Sequence, residues 1–238
     1  MPDTSHSHPH GAHQEQHLRS SDFISDIVIG MSDGLTVPFA LAAGLSGAVS
    51  SSTLIVTAGI AEIVAGAIAM GLGGYLAGRT EADHYESERR REVMEVETVP
   101  EREKEEVREV FADMGLSPTL QIAIADELAK DKTKWVDFMM KYELGLDEPD
   151  PNRATKSALT IGLAYVAGGL VPLAPYFLIT IPHEALFYSC GLTLICLFVF
   201  GYFKSKVTGQ PPLSGALKVM LIGALAAAAA FGVARLFG

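Results

Sequence analysis

The chain has 238 residues, 49% of them hydrophobic, and a formal net charge of −10. That charge opposes a polyphosphate partner, so no nucleic-acid partner is expected, and two cysteines are too few for a disulfide framework. The charge is also concentrated: residues 81–150 hold 21 of the 28 acidic and 10 of the 18 basic residues, a net −11 that leaves the remainder near +1.

Residues 1–22 carry His6, His8, His10, His13 and His17 among Ser, Gly, Pro and Gln, a composition too polar to fold alone, which predicts a disordered His-rich cytosolic tail. Its imidazoles suit weak transition-metal binding and equally a merely solvated tail. Residues 1–25 lack the continuous apolar core of a cleavable signal peptide, so the first span is expected to act as its own insertion signal.

Five stretches then reach the roughly 20 apolar residues that a helix needs to cross a hydrocarbon core: Asp26 to Val49, Thr53 to Gly78, Ser157 to Ile181, Glu184 to Phe203 and Ser214 to Phe237. The expected fold is therefore all-α: a polytopic membrane protein with five transmembrane helices and lipid as its solvent. Spans one and two fall within residues 23–80, and spans three to five within 153–238. Cys190 and Cys196 lie six residues apart on the fourth span, too far to bridge each other. Basic residues near span ends mark the cytosolic side. Arg19, Arg79, Arg153, Lys156, Lys204, Lys206 and Lys218 share one side if five spans alternate, against Arg235 on the other. The N-terminus and the acidic block are thus expected in the cytosol, with the C-terminus in the opposite compartment.

Between spans two and three, residues 81–152 read as a compact helical subdomain. No Gly or Pro interrupts Arg79 to Val99, which predicts one long helix ending before Pro100. A second runs from Glu101 to about Met114 and stops at Gly115. A third begins at Ser117-Pro118 and breaks around Lys130 to Thr133, and Trp135 to Leu144 forms a last amphipathic stretch before Gly145. Glu92 and Glu95 are three apart, as are Glu103 and Glu106, so each pair shares a helix face and suits a shared divalent ion. Met139, Met140 and Glu143 make a third set. Two readings fit these residues: solvated helices with Glu–Arg pairs such as Glu86 with Arg90 or Arg91, and methionines as core filler; or a metal-binding domain, in which thioether combined with carboxylate suits a transition metal better than Mg²⁺ or Ca²⁺.

Inside the spans, Asp33 lies about two turns into the first and Glu62 near the middle of the second, where a lone charge costs at least about 2.5 kcal/mol. Asp33 also reads as a capping acid if its helix starts late. Met70 lies two turns beyond Glu62, a soft ligand or ordinary packing. Pro38 frees the carbonyl of Gly34, and Gly30, Gly34, Gly66, Gly71, Gly73, Gly74 and Gly78 allow close helix approach.

The run from Asp26 through Ser32-Asp33-Gly34 and Pro38 to Ser46 resembles the first span of the vacuolar iron transporter family. The second span with Glu62 and Met70, the Glu-rich insert and the five spans extend the similarity over nearly the whole chain after residue 22. The insert places the chain with the plant-type transporters. The resemblance implies a homodimer with a pore between subunits, lined by Asp33, Glu62 and Met70. It implies an antiporter that exchanges cytosolic Fe²⁺ for protons of an acidic vacuole, not an enzyme, and a multi-pass protein of the vacuolar membrane with a lumenal C-terminus. It also implies Glu92, Glu95, Glu103, Glu106, Met139, Met140 and Glu143 as metal ligands. Fe²⁺ is then substrate and bound ion, with no prosthetic group, and Mn²⁺, Co²⁺ or Zn²⁺ fit the same donors. The alternatives are a membrane-bound di-iron carboxylate enzyme, for which Glu81-Ala-Asp-His84 supplies one Glu-x-x-His motif without a second copy, and a structural protein whose acidic block docks a basic partner.

Overall fold

A computed structural model describes residues 16–237, with side chains from Asp22 onward; of the disordered tail expected over 1–22, residues 16–22 are instead the first turns of a helix, and the expectation up to residue 15 lies outside the described residues. Every regular element among them is helical: α1 Gln16–Ala48, α2 Ser52–Thr98, α3 Pro100–Asp113, α4 Pro118–Leu128, α5 Lys132–Phe138, a π-helical turn Met139–Glu143, α6 Arg153–Leu178, α7 Pro182–Val207 and α8 Pro212–Phe237. The chain forms two compact units, one running to Gly71 and resuming at Leu159, the other spanning Leu72–Ala158.

Five helices are long and apolar enough to cross a membrane, namely α1 from Asp22, α2, α6, α7 and α8. The exposed side chains agree with lipid as their solvent: Ile68, Leu163, Phe187 and Leu225 are each at least 66% exposed, a burden of open apolar surface that water would penalise. In the first unit α8 packs on α1 and α7, with Phe39, Ala43 and Ala227 in one core cluster and Ala42, Ile55, Tyr176 and Ala185 in another. Glycines set how closely α1 and α2 meet α6. A Cβ on Gly30 would collide with the carbonyl oxygen of Ile161, and one on Gly34 with that of Tyr165. Glycine at these places lets two backbones touch, the usual way helices gain packing energy in lipid.

In the second unit the long α2 ends at Thr98, and Pro100 opens α3 at its first position, where its missing N–H costs nothing. Glu101 and Glu103 sit in the first turn of α3, where the helix dipole favours negative charge. Gly115 ends the segment with φ +83°, a left-handed conformation suited to glycine. The expected break after α4 is real: Asp131 caps α5, its carboxylate accepting from the backbone N–H of Thr133 at 3.1 Å and of Lys134 at 3.3 Å. The last stretch departs from the expected α-helix. From Met139 it widens to a π-turn, with Leu144 N–H donating to Met139 O at 3.0 Å, and Gly145 then terminates it at φ +65°. Val96, Val107, Ala125, Trp135, Val136, Met139 and Met140 form the core of this unit.

Candidate functional site

The turn at Val99 reverses the chain between α2 and α3, and by that reversal two carboxylates from α2 meet one from α3. Oxygens of Glu92, Glu95 and Glu103 all lie within 4.8 Å of one another. Glu92 is 2% and Glu103 1% exposed, and the second oxygen of each is buried without a hydrogen-bond partner among the described residues. An orphaned buried carboxylate oxygen is costly. Two such groups converging with the partly exposed Glu95 make a site that a cation of two or more charges would stabilise.

The electrostatics agree. Burial, and then the charges of Glu106, Glu92, Glu95 and Glu143, push the Glu103 carboxyl up to about 7. Burial and Glu95 raise Glu92 as well, against the lowering effect of Arg91. Glu143 reaches the surface, yet desolvation and the nearby Glu92 and Glu106 push it up to about 7. Glu106 stands at the edge of the group, its carboxylate 3.1 Å from Arg102 Nε.

The structure thus regroups the sequence-derived pairs. Glu92, Glu95 and Glu103 converge, while Glu106 and Glu143 add charge beside them. Met139 and Met140, 0% and 1% exposed, sit in the hydrophobic core of the same unit. The π-turn carries both methionines and Glu143 in five residues, and such widened turns often occur at functional sites. The Glu81-x-x-His84 motif does not join this group: the His84 imidazole is exposed and lies 3.9 Å from Glu88. Glu86 pairs with Arg90 at 3.7 Å, as its spacing suggested.

In the first unit, the Tyr165 hydroxyl on α6 donates a hydrogen bond to Glu62 Oε1 on α2, and Glu62 Oε2 is buried with no hydrogen-bond partner among the described residues. A Cβ on Gly66, one turn along α2, would strike the same hydroxyl, so glycine there opens the space that the tyrosine fills. The backbone of Tyr165 also lies against Gly34, the neighbour of Asp33 on α1. Glu62, Asp33 and Met70 are all partly buried. Tyr165 escaped the sequence reading, because one tyrosine in an apolar span 103 residues from its partner leaves no local signal.

The profile of the VIT family matches residues 24–235. Over 235 residues the chain is 51% identical to Vacuolar iron transporter 1 of Oryza sativa subsp. japonica, covering 99% of this chain and 93% of that protein. It is 53% identical over 223 residues to Vacuolar iron transporter 1 of Tulipa gesneriana, covering 94% and 90%. It is 40% identical over 223 residues to Protein CCC1 of Saccharomyces cerevisiae, covering 90% and 69%.

Proposed function

The chain belongs to the VIT family, and from that footing we propose that it carries Fe²⁺ from the cytosol into the vacuole in exchange for protons. The relatives' names supply iron and the vacuole. One observation carries the exchange: Glu62, inside an apolar helix, is held on one oxygen by Tyr165 and keeps the other buried without a hydrogen-bond partner among the described residues. The free oxygen so placed is open to a cation inside the apolar span, where an intramembrane carboxylate marks an ion pathway.

Proton and metal then compete for the same oxygens. Facing the near-neutral cytosol, Glu62 and Asp33 lose their protons and accept Fe²⁺. Facing an acidic lumen, they are protonated and release the metal, so metal moves inward only as protons move outward. Met70 contributes a thioether that binds soft cations and cannot titrate. Two copies of the chain are proposed to form the pathway. Residues 81–152 serve as the metal-binding domain that gathers cytosolic Fe²⁺, with Glu92, Glu95 and Glu103 at its centre, Glu106 and Glu143 beside them, and Met139 and Met140 as its soft donors. Mn²⁺, Co²⁺ and Zn²⁺ suit the same donor set. In this topology the N-terminus is cytosolic and the C-terminus lumenal, as the basic residues indicate.

The test is uptake into proteoliposomes made with the purified chain and an acidic interior. Fe²⁺ should accumulate against its own gradient, and collapse of the pH gradient by a protonophore should stop accumulation. Accumulation that is indifferent to the protonophore would refute the exchange.

A further inference from the structure

The three converging carboxylates are not left to themselves. Arg91 sits on α2 beside them, 46% exposed, and its guanidinium reaches Glu92 Oε1 and Glu95 Oε2 at 3.5 Å each. Its closest partner lies outside the cluster: Nη1 is 2.7 Å from Glu88 Oε2, one turn back along the same helix, and Glu88 is itself largely buried. A guanidinium can address several carboxylates at once through its planar fork of donors. Here the fork is seated on Glu88 and only leans on the cluster.

We propose that Arg91 is a tethered counter-ion of the carboxylate site, which an incoming divalent cation must displace from Glu92 and Glu95, and that Glu88 is the seat that holds it when displaced. This inference rests on reading Glu92, Glu95 and Glu103 as a metal site. Without a positive neighbour, the carboxylates of Glu92, Glu95 and Glu103, with oxygens within 4.8 Å of one another, would repel unopposed. Arg91 relieves that repulsion in the empty site. Once a dication occupies the cluster, the same arginine becomes a like charge a few ångströms away and opposes binding. Its role is therefore to set the cation concentration at which the site fills. It is a positioning residue, not a ligand, since it has no lone pair to offer.

The seat on Glu88 gives the idea two opposite signatures. Replacing Arg91→Gln removes the competitor and should tighten divalent-cation binding about ten-fold, equivalent to about 1.4 kcal/mol. Glu88→Gln leaves Arg91 in place but takes away its outside partner, so the guanidinium settles fully on Glu92 and Glu95 and binding should weaken by about five-fold. Both shifts should shrink as salt is raised, because Arg91 is half exposed and its field is screened.

The experiment is titration of the full-length chain in detergent with Co²⁺, followed by calorimetry and by the fluorescence of Trp135, the only tryptophan in the sequence. Glu103→Gln serves as the control for the site. Loss of Co²⁺ binding in the control, tighter binding in Arg91→Gln and weaker binding in Glu88→Gln support the proposal. Binding lost in the control but unchanged or weakened in Arg91→Gln overturns the counter-ion role and leaves the metal site standing. Equal Co²⁺ binding by the parent and the control overturns the site and the proposal together. If Arg91→Gln does not fold, Glu88→Gln decides alone: binding as tight as the parent's, or tighter, refutes the displacement.

Discussion

Glu103 shows how one side chain couples stability to binding. Burial and the neighbouring carboxylates push its carboxyl up to about 7 in the folded chain, from an ordinary glutamate value of 4.5. Between those two pH values the folded form binds more protons than the unfolded form, so stability falls as pH rises through the window and is lowest above it. The loss from this one group is about 3 kcal/mol. Thermal melting of the detergent-solubilised chain, read through Trp135, should therefore show a lower midpoint at pH 7.5 than at pH 5.5. Glu103→Gln should recover part of the difference at pH 7.5, since Glu92 and Glu143 are raised too, and saturating Co²⁺ should recover it in the parent. Changing Glu103 and Glu106 together to Ala should weaken Co²⁺ binding at least about ten-fold. Glu86→Ala, which loses an exposed pair with Arg90, should alter it by less than about two-fold. Equal effects from both would mean that the block attracts cations by diffuse charge.

At the scale of elements, the spans and the helices of the acidic block were legible because their signals are local. The run without Gly or Pro from Arg79 to Val99 carried α2 on beyond its apolar span, Pro100 gave α3 its start, and Gly115 and Gly145 gave two stops. Spacing also paired Glu92 with Glu95 and Glu103 with Glu106. It could not give the trio of Glu92, Glu95 and Glu103, which depends on the reversal at Val99 and on Val96 packing in one core with Val107. The π-turn was equally hidden, since nothing in Met-Met-Lys-Tyr-Glu distinguishes an i→i+5 turn from an α-helical one. Both of its methionines are packed into the core, and that tertiary demand is absent from the local sequence. Close approach of α1 and α2 to α6 yields a prediction of its own. Gly34→Ala forces a Cβ into the backbone of Tyr165, which cannot yield cheaply, and should abolish stable folding. Gly66→Ala meets the Tyr165 ring and hydroxyl instead, which can swing. It should leave the chain folded but separate Tyr165 from Glu62, slowing transport with little loss of yield in size-exclusion chromatography.

For the whole molecule, the proposed topology and the proposed exchange stand or fall on different measurements. A protease site placed near Gly209 should be cleaved from the cytosolic face of sealed vacuoles, and one appended after Gly238 should be protected. Both ends accessible from one face would remove the odd number of crossings and the cytosolic placement of the acidic block. Met70→Ala should slow transport or change ion preference while leaving proton coupling intact, because a thioether carries no proton. The central claim is that metal and proton share the carboxylates, and lumenal pH tests it most directly. Proteoliposomes with equal pH on both faces and a trapped pH indicator receive external Fe²⁺. With the parent chain, entry of Fe²⁺ should make the interior alkaline as protons leave, and with Glu62→Gln both the metal entry and the pH change should vanish although the protein remains folded. Fe²⁺ entry through the parent without a change of internal pH, or exchange at the normal rate through Glu62→Gln, would contradict it.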